Sequence, residues 1–227
     1  MYALVTGGCS GLGKSFTKEL LKRGYKVYAL YNTSEESAKK LEQEYSNLKC
    51  IKCDITNEES VAKTLYDLED LDLVINNAGI AKDNEYFDKT LEEFMEVLKT
   101  NLGGCFVVSK FAAKRLKNGG TIINISSNNA LNNYNPLSMD YDASKVGINM
   151  LTKDFAIALK NLKIKVVSIC PGWINTESIQ EMNPLFLKEE MKKSNQKKLL
   201  DPDLLASKIL NISSELNSGD IIEIKEL

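Results

Sequence analysis

The residues Thr6-Gly7-Gly8-Cys9-Ser10-Gly11-Leu12-Gly13 follow a short apolar run and lead directly into an amphipathic helical pattern. Glycine allows a backbone to turn sharply and to approach a ligand closely, and the free N–H groups at the start of a helix attract an anion. A strand, a glycine-rich loop and a helix in this order are typical of a nucleotide site. The loop therefore predicts an α/β domain that binds the phosphates of a nucleotide.

Two phosphate-binding patterns overlap in this loop. The range from Gly8 to Ser15 matches GxxxxGKS, which holds a nucleoside triphosphate, whereas Thr6 to Gly13 matches TGxxxGxG, which holds a dinucleotide pyrophosphate. A triphosphate site also needs a strand that ends in an acidic residue for magnesium. The fourth predicted strand ends instead in Asn76-Asn77-Ala78-Gly79. The sequence favours the dinucleotide site, and a triphosphate-using kinase or hydrolase stays as the weaker alternative.

Short β-rich apolar runs alternate with longer amphipathic segments along the chain. We predict strands at 2–6, 26–31, 49–53, 73–76, 121–126, 165–170 and 220–224, and helices near 12–23, 34–46, 57–67, 90–117, 141–161 and 202–212. Such alternation builds right-handed βαβ units and a parallel sheet, and strands that are apolar throughout have helices on both faces. We therefore predict one α/β domain over residues 1–227, a Rossmann-like, doubly wound, seven-stranded parallel sheet in three layers.

One segment, residues 174–200, does not fit a simple crossover between strands. It is rich in Met, Asn and Lys and lies between the last two predicted strands. Long excursions of this kind are often functional. We expect it to form a lid that closes over a substrate.

The sequence contains no histidine, which is the usual general base near neutral pH. Ser-His-Asp hydrolysis, Cys-His proteolysis and zinc catalysis through HExxH all need an imidazole, so these classes are excluded. An enzyme with this composition has to move protons with Tyr, Lys, Cys, Asp or Glu. We expect no metal site.

Charge and cysteine content exclude further classes. The 29 basic and 31 acidic residues leave a net charge of −2, so no large basic face is available for nucleic acid. No apolar stretch reaches the ~20 residues that span a bilayer, and we expect a cytoplasmic protein without a membrane partner. The five cysteines lack the spacing of a disulfide framework. Cys50 and Cys53 form a CxxC, which we interpret as core thiols and not as a redox or metal site.

Several motifs in a fixed order closely resemble those of the short-chain dehydrogenase/reductase family, and the match covers nearly the whole chain. In that family TGxxxGxG opens the domain, an Asp near the third strand meets the adenine, NNAG ends the fourth strand, YxxxK begins a later helix, and PGxxxT follows the sixth strand. The counterparts are Thr6 to Gly13, Asp54, Asn76 to Gly79, Tyr141 with Lys145, and Pro171-Gly172 with Thr176. Their joint occurrence at strand ends and helix starts is highly specific.

Tyr141 is the predicted proton carrier. A spacing of four places Tyr141 and Lys145 on one face of a helix, and a nearby positive charge lowers the pKa of a phenol. The resemblance implies that Ser127 hydrogen-bonds the substrate carbonyl, with Asn128 as the alternative. It also implies that Asn101 supports a water chain that leads to the lysine, although an Asn beside two glycines also fits a simple helix irregularity.

The resemblance implies hydride transfer between a nicotinamide cofactor and a carbonyl or secondary alcohol. Relatives that include β-ketoacyl carrier-protein reductases favour the reductase direction, on a small substrate or one linked to an acyl carrier, in a homodimer or homotetramer. A cofactor-binding regulator without turnover is the alternative. The expected cofactor-binding residues are Thr6, Gly7, Ser10, Gly11, Leu12, Gly13, Asn32, Thr33, Asp54, Ile55, Asn77, Ala78, Gly79, Tyr141, Lys145, Pro171, Gly172, Ile174 and Thr176.

The end of the second predicted strand bears on the choice of cofactor. NAD-specific folds usually place an acid there to bind the ribose hydroxyls. This strand ends instead in Tyr31-Asn32-Thr33-Ser34, which can donate hydrogen bonds to a 2′-phosphate without repelling it. No Arg or Lys stands at these positions to pair with the phosphate. We expect a modest preference for NADP(H), with NAD(H) as the alternative.

Overall fold

The protein's sheet consists of seven parallel strands. The structure is a computed structural model that describes residues 1–116 and 119–227. The strands are β1 (Tyr2–Thr6), β2 (Lys26–Tyr31), β3 (Leu48–Lys52), β4 (Leu73–Asn76), β5 (Gly120–Ile125), β6 (Ile164–Pro171) and β7 (Ile221–Ile224). The helices are α1 (Gly11–Lys22), α2 (Glu35–Glu44), α3 (Glu58–Tyr66), α4 (Leu91–Leu98), α5 (Gly104–Ala112), α6 (Met139–Ala158), α7 (Glu177–Gln180), α8 (Pro184–Lys193) and α9 (Pro202–Ile212).

The strand order is β3-β2-β1-β4-β5-β6-β7, and every pair is parallel. The predicted doubly wound sheet is confirmed. The chain builds the sheet outward from β1 in one direction and then from β4 in the other. The crevice at the carboxyl ends of β1 and β4 is the place where open α/β sheets bind ligands.

Apolar side chains cover both faces of the sheet, so the strands lie between two helical layers. On one face Phe16 and Leu20 of α1 and Leu205 of α9 are fully buried in a single cluster. On the other face Val61 of α3 and Val108 of α5 belong to a second cluster, against which the carboxyl end of α6 packs. The three predicted layers are therefore present, and each fully buried large side chain contributes about 1.5–3 kcal/mol to folding.

The helix predicted over 90–117 is interrupted. It divides into α4, a π-helical turn at Lys99–Gly103 and α5, which ends at Ala112; residue 117 lies outside the described residues. Gly104, the first residue of α5, packs against Ile55 in the loop after β3. A Cβ on Gly104 would lie 2.5 Å from the Cδ1 atom of Ile55. The close approach needs glycine, and the π turn includes the predicted Asn101.

A buried chain of polar side chains ties α6 to the sheet. The Asn76 amide donates hydrogen bonds to Ser109 Oγ (2.8 Å) and to Asn124 Oδ1 (2.8 Å). The Asn124 amide in turn donates to Thr152 Oγ1 (2.9 Å), and the Thr152 hydroxyl donates to the carbonyl of Ile148 (2.9 Å). These bonds connect β4, β5, α5 and α6. They fix where α6 lies, and so where its first turns meet the cleft.

The segment predicted as a lid contains α7 and α8. Its two ends are held together by a parallel bridge between Ile174 and Leu200. Gln196 strengthens this base, because its side chain accepts from the Trp173 N–H (2.7 Å) and donates to the Trp173 carbonyl (2.8 Å). Among residues 1–116 and 119–227 no helix is long and apolar enough to cross a membrane.

Candidate active site

A cleft of about 680 Å³ runs along the carboxyl ends of the strands. It is lined by the loop between β1 and α1, the segments that follow β2 to β5, the first turns of α6 and the segment after β6. Ser127 lines the cleft, and so do seventeen of the nineteen expected cofactor residues: Gly7, Ser10, Gly11, Leu12, Asn32, Thr33, Asp54, Ile55, Asn77, Ala78, Gly79, Tyr141, Lys145, Pro171, Gly172, Ile174 and Thr176.

The glycine loop opens the amino end of α1 toward the cleft. Gly7 and Gly11 have φ angles of 62° and 48°, which non-glycine residues rarely adopt. A Cβ on Gly13 would lie 2.1 Å from the carbonyl oxygen of Gly7, so the loop and helix touch there. Ser10, at the N-cap, makes no side-chain hydrogen bond to α1 in the part of the chain described. The first-turn N–H groups are therefore left for an anion, which fits a pyrophosphate.

Thr6 supports the cleft from beneath. Its hydroxyl oxygen accepts hydrogen bonds from the backbone N–H groups of Asn77 (3.0 Å) and Ala78 (3.0 Å), and the Asn77 amide donates back to the Thr6 carbonyl (3.1 Å). These bonds join the ends of β1 and β4. Thr6 and Gly13 do not line the cleft, although both were expected to bind the cofactor. Their contacts shape the loop that does.

Ser127, Tyr141 and Lys145 meet at one end of the cleft. Tyr141 lies in the first turn of α6 and Lys145 one turn later, with its Nζ atom 5.3 Å from the centre of the Tyr141 ring. Ser127 follows β5 and hydrogen-bonds the Tyr141 side chain. The Lys145 ammonium donates to the carbonyl of Ile125 (2.8 Å), which anchors it to the same strand end. Asn128, the alternative to Ser127, is buried and does not line the cleft.

We expected Lys145 to lower the pKa of Tyr141, but in the structure the pKa of Tyr141 is raised. Burial raises the pKa of Tyr141 to about 12, and the hydrogen bond with Ser127 only partly opposes this. Burial also lowers the pKa of Lys145 to about 8, because a buried ammonium loses its hydration. Tyr141 therefore carries its proton at neutral pH. That state suits a proton donor.

Asn101 lies behind this site and is fully buried. Its side chain exchanges two hydrogen bonds with the backbone of Ile80 (2.8 and 2.9 Å) and donates to Ser144 Oγ (3.0 Å). A Cβ on Gly79 would lie 3.2 Å from Asn101 Oδ1 and 3.6 Å from Lys145 Nζ, so only this glycine separates the two groups. The π-helical turn at Lys99–Gly103 confirms the helix irregularity, and the water-chain role of Asn101 stays a prediction.

A buried ion pair beside Tyr141 was not predicted. The Lys89 ammonium lies 2.7 Å from Asp140 Oδ2, and the two side chains are 4% and 0% exposed. Asp140 Oδ1 also accepts the backbone N–H of Tyr141 (2.9 Å). The pair thus fastens the loop after β4 to the start of α6. The only sequence clue was an acidic residue directly before the tyrosine.

The far end of the cleft holds the residues expected for the adenosine half. Asn32 and Thr33 follow β2, and Asp54 and Ile55 follow β3. Within the described residues, Lys145 is the sole Lys or Arg that lines the cleft, and no group of three metal-ligating side chains occurs. Sequence reasoning missed further lining residues, whose positions beside the named strand ends could have indicated them: Cys9, Leu30, Cys53, Thr56, Ile80, Glu96, Thr100, Ile125, Ser126, Glu177 and Ser178.

Comparison with known proteins gives one consistent family. A family model described as short chain dehydrogenase matches residues 1–185. An acetoacetyl-CoA reductase of Rhizobium meliloti is 36% identical over 195 residues, which cover 83% of this chain and 80% of that protein. A 3-oxoacyl-(acyl-carrier-protein) reductase of Aquifex aeolicus is 30% identical over 241 residues, covering 98% and 94%. A solved dehydrogenase/reductase of Sinorhizobium meliloti superposes with a TM-score of 0.89 at 25% identity, covering 98% and 92%.

Proposed function

Because this chain belongs to the short-chain dehydrogenase family and is an NAD(P)-dependent oxidoreductase, we propose that it reduces the ketone of a β-ketoacyl thioester, carried on coenzyme A or on an acyl carrier. The observation that carries the proposal is the group of Ser127, Tyr141 and Lys145 at one end of the cleft, with Tyr141 protonated at neutral pH. The relatives named as acetoacetyl-CoA and 3-oxoacyl reductases support the substrate class.

We propose the following roles for Ser127, Tyr141, Lys145 and Asn101. A bound nicotinamide supplies the hydride for the carbonyl carbon. The Ser127 hydroxyl donates a hydrogen bond to the carbonyl oxygen, and the Tyr141 hydroxyl transfers its proton to that oxygen as the alcohol forms. The Lys145 ammonium stabilises the phenolate that is left and holds the nicotinamide ribose. We propose that Asn101 supports a chain of water molecules to Lys145, along which the proton of Tyr141 would be replaced.

The remaining cleft residues would hold the cofactor. Gly7, Gly11 and Leu12 receive the pyrophosphate at the amino end of α1, where the N–H groups are free of side-chain caps. Asp54 would face the adenosine half, and the segment after β6 from Pro171 to Thr176 would hold the nicotinamide side, because both line the cleft. The homo-oligomer and the cytoplasmic location expected above stay predictions.

The proposed reaction is tested with purified protein, acetoacetyl-CoA and NADPH. We expect oxidation of NADPH that depends on the thioester, and stabilisation of the protein by NADPH in a thermal-shift titration. ATP with magnesium should not stabilise it, because the carboxylate that would hold magnesium is absent from the end of β4. Stabilisation by ATP with magnesium but not by either nicotinamide cofactor would overturn the proposal.

We predict a modest NADPH preference that Asn32→Asp reverses. Asn32 lines the cleft just after β2, where a carboxylate would repel a 2′-phosphate and bind the ribose hydroxyls of NADH. The substitution should shift the ratio of kcat/KM values toward NADH by roughly one to three kcal/mol. Asn32→Ala is the matched control, because it removes the amide without adding charge. If the wild-type enzyme clearly prefers NADH, the absence of an acidic residue at the end of β2 does not indicate a preference for NADPH.

The segment 174–200 is proposed as a substrate lid. Its base is fixed by the Ile174 and Leu200 bridge and by Gln196, while α8 carries an exposed Leu185. A segment with a fixed base and an outer helix of few buried contacts can close over a ligand as a unit. We expect limited proteolysis to cut within 177–193 in the free protein and NADPH with substrate to slow the cleavage. Equal cleavage rates in both states would argue against a lid.

A further inference from the structure

Two cysteines from distant parts of the chain touch beneath the cofactor cleft. The Sγ atoms of Cys9, in the glycine loop, and Cys50, on β3, lie 3.6 Å apart. Cys9 is fully buried, whereas Cys50 is partly exposed to solvent. No disulfide joins them in the described structure. They form a dithiol that a small oxidant can reach at Cys50.

The CxxC spacing does not describe the pairing of Cys50. Cys50 packs with the cluster on one face of the sheet, and Cys53 belongs to the cluster on the other. The Cys53 thiol lies 3.7 Å from the hydroxyl of Ser60. Because the two side chains of the motif point to opposite faces, the thiol within reach of Cys50 is that of Cys9. The interpretation of Cys50 as a core thiol alone overlooked this contact.

We propose that a hydroperoxide oxidises Cys9 and Cys50 to a disulfide. We propose further that this disulfide lowers the affinity of the cleft for its nicotinamide cofactor. This inference rests on the proposed function for its cofactor. The Cys50 sulfur attacks a peroxide oxygen, which gives a sulfenic acid and releases water or an alcohol. The Cys9 sulfur then attacks the Cys50 sulfur and breaks its bond to oxygen, and the displaced hydroxide takes the proton of the Cys9 thiol and leaves as water. Two thiols lose two hydrogen atoms, and one peroxide is reduced.

The arrangement suits Cys9 to the second step. Contact with the Cys50 side chain lowers the pKa of Cys9, and the positive charge of Lys14 acts in the same direction. Burial and the Glu42 carboxylate oppose this to a smaller extent. A thiolate held in contact with the sulfur that has been oxidised is well placed to displace hydroxide from it.

The disulfide would deform the glycine loop. A disulfide bond of about 2.05 Å requires the two sulfur atoms to approach by about 1.5 Å. The loop has little room to follow, because a Cβ on the neighbouring Gly8 would already lie 2.8 Å from the Cβ of Ala29 on β2. The next residue, Ser10, begins the turn that presents the N–H groups of α1 to the cleft. A pull on Cys9 therefore changes the part of the loop that would hold the pyrophosphate.

The test compares reduced and peroxide-treated protein in two independent measurements. Mass spectrometry of a non-reducing digest should find the Cys9 peptide linked to the Cys50 peptide, with two hydrogen atoms lost. NADPH titration followed by fluorescence should show a dissociation constant raised at least about fivefold, the lower end of usual coupling between two sites. Dithiothreitol should restore the original value.

Matched variants assign the effect to this pair. Cys50→Ser should form no link and keep its NADPH affinity after peroxide, and Cys50→Ala serves the same purpose if the serine variant is unstable. Cys53→Ser should still form the link between Cys9 and Cys50. Absence of the link, or a link without a change in NADPH affinity, overturns the inference. If the reduced protein does not bind NADPH at all, the proposed function fails instead, and the peptide link still reports on the dithiol.

Discussion

Tyr141→Phe is expected to lower the turnover number of ketone reduction by at least ~10²-fold, the scale for loss of a general acid. Burial raises the pKa of Tyr141 to about 12, so its hydroxyl holds a proton that the product alcohol needs. The variant removes one oxygen from a ring that stays packed in the first turn of α6. Folding and NADPH affinity should therefore stay close to wild type. Steady-state kinetics and NADPH titration measure the two quantities separately.

Tyr134→Phe is the matched control, because it makes the same change on an exposed ring outside the residues that line the cleft. It should leave the turnover number unchanged. Turnover of Tyr141→Phe within a few fold of wild type would show that another group donates the proton. A loss of NADPH binding as large as the loss of turnover would instead assign Tyr141 mainly to cofactor binding.

Asp140→Asn is expected to lower the free energy of unfolding by about 3–5 kcal/mol, since it leaves a buried ammonium without its counter-charge. The Lys89 side chain is 4% exposed and lies 2.7 Å from the Asp140 carboxylate. Asparagine keeps an oxygen for the N–H of Tyr141, so the change mainly removes the charge. Chemical denaturation at neutral pH measures the difference.

Two further variants identify the cause. Lys89→Met combined with Asp140→Asn removes both charges and should recover part of the lost stability. Glu58→Gln breaks the exposed pair with Lys110, whose side chains are 55% and 45% exposed, and should change stability by less than ~1 kcal/mol. An Asp140→Asn variant no less stable than Glu58→Gln would show that the buried pair does not stabilise the fold.

Much of the fold could be predicted because its determinants are local. The strands stand out as apolar runs bounded by polar or glycine residues, and β1, β2 and β4 have the predicted bounds. Their order along the chain, with helices between them, specifies a parallel sheet. The carboxyl ends of parallel strands face one edge, so motifs at those ends had to share one cleft. The spacing of four placed Tyr141 beside Lys145, and the family resemblance added Ser127.

The rest depends on contacts between residues far apart in sequence. Lys89 and Asp140 are separated by 51 positions, and Cys9 and Cys50 by 41, so no periodicity relates them. The pKa of Tyr141 was predicted in the wrong direction because the sequence shows a neighbouring lysine but not the depth of burial. The π turn at Lys99–Gly103 likewise has no pattern of its own within the long amphipathic segment.

The polar chain from Asn76 through Asn124 to Thr152 has a consequence for how such a sequence changes over generations. Each link satisfies a donor of one residue with an acceptor of the next. Replacing one member with an apolar residue leaves a buried polar group without its hydrogen bond, which lowers the free energy of unfolding by about 1–3 kcal/mol. Replacing all members together with apolar residues of similar shape costs far less stability. These three positions should therefore covary among descendants of a common ancestor. A lineage that loses one amide is expected to lose its neighbours as well, and α6 is then inherited together with the residues that hold it.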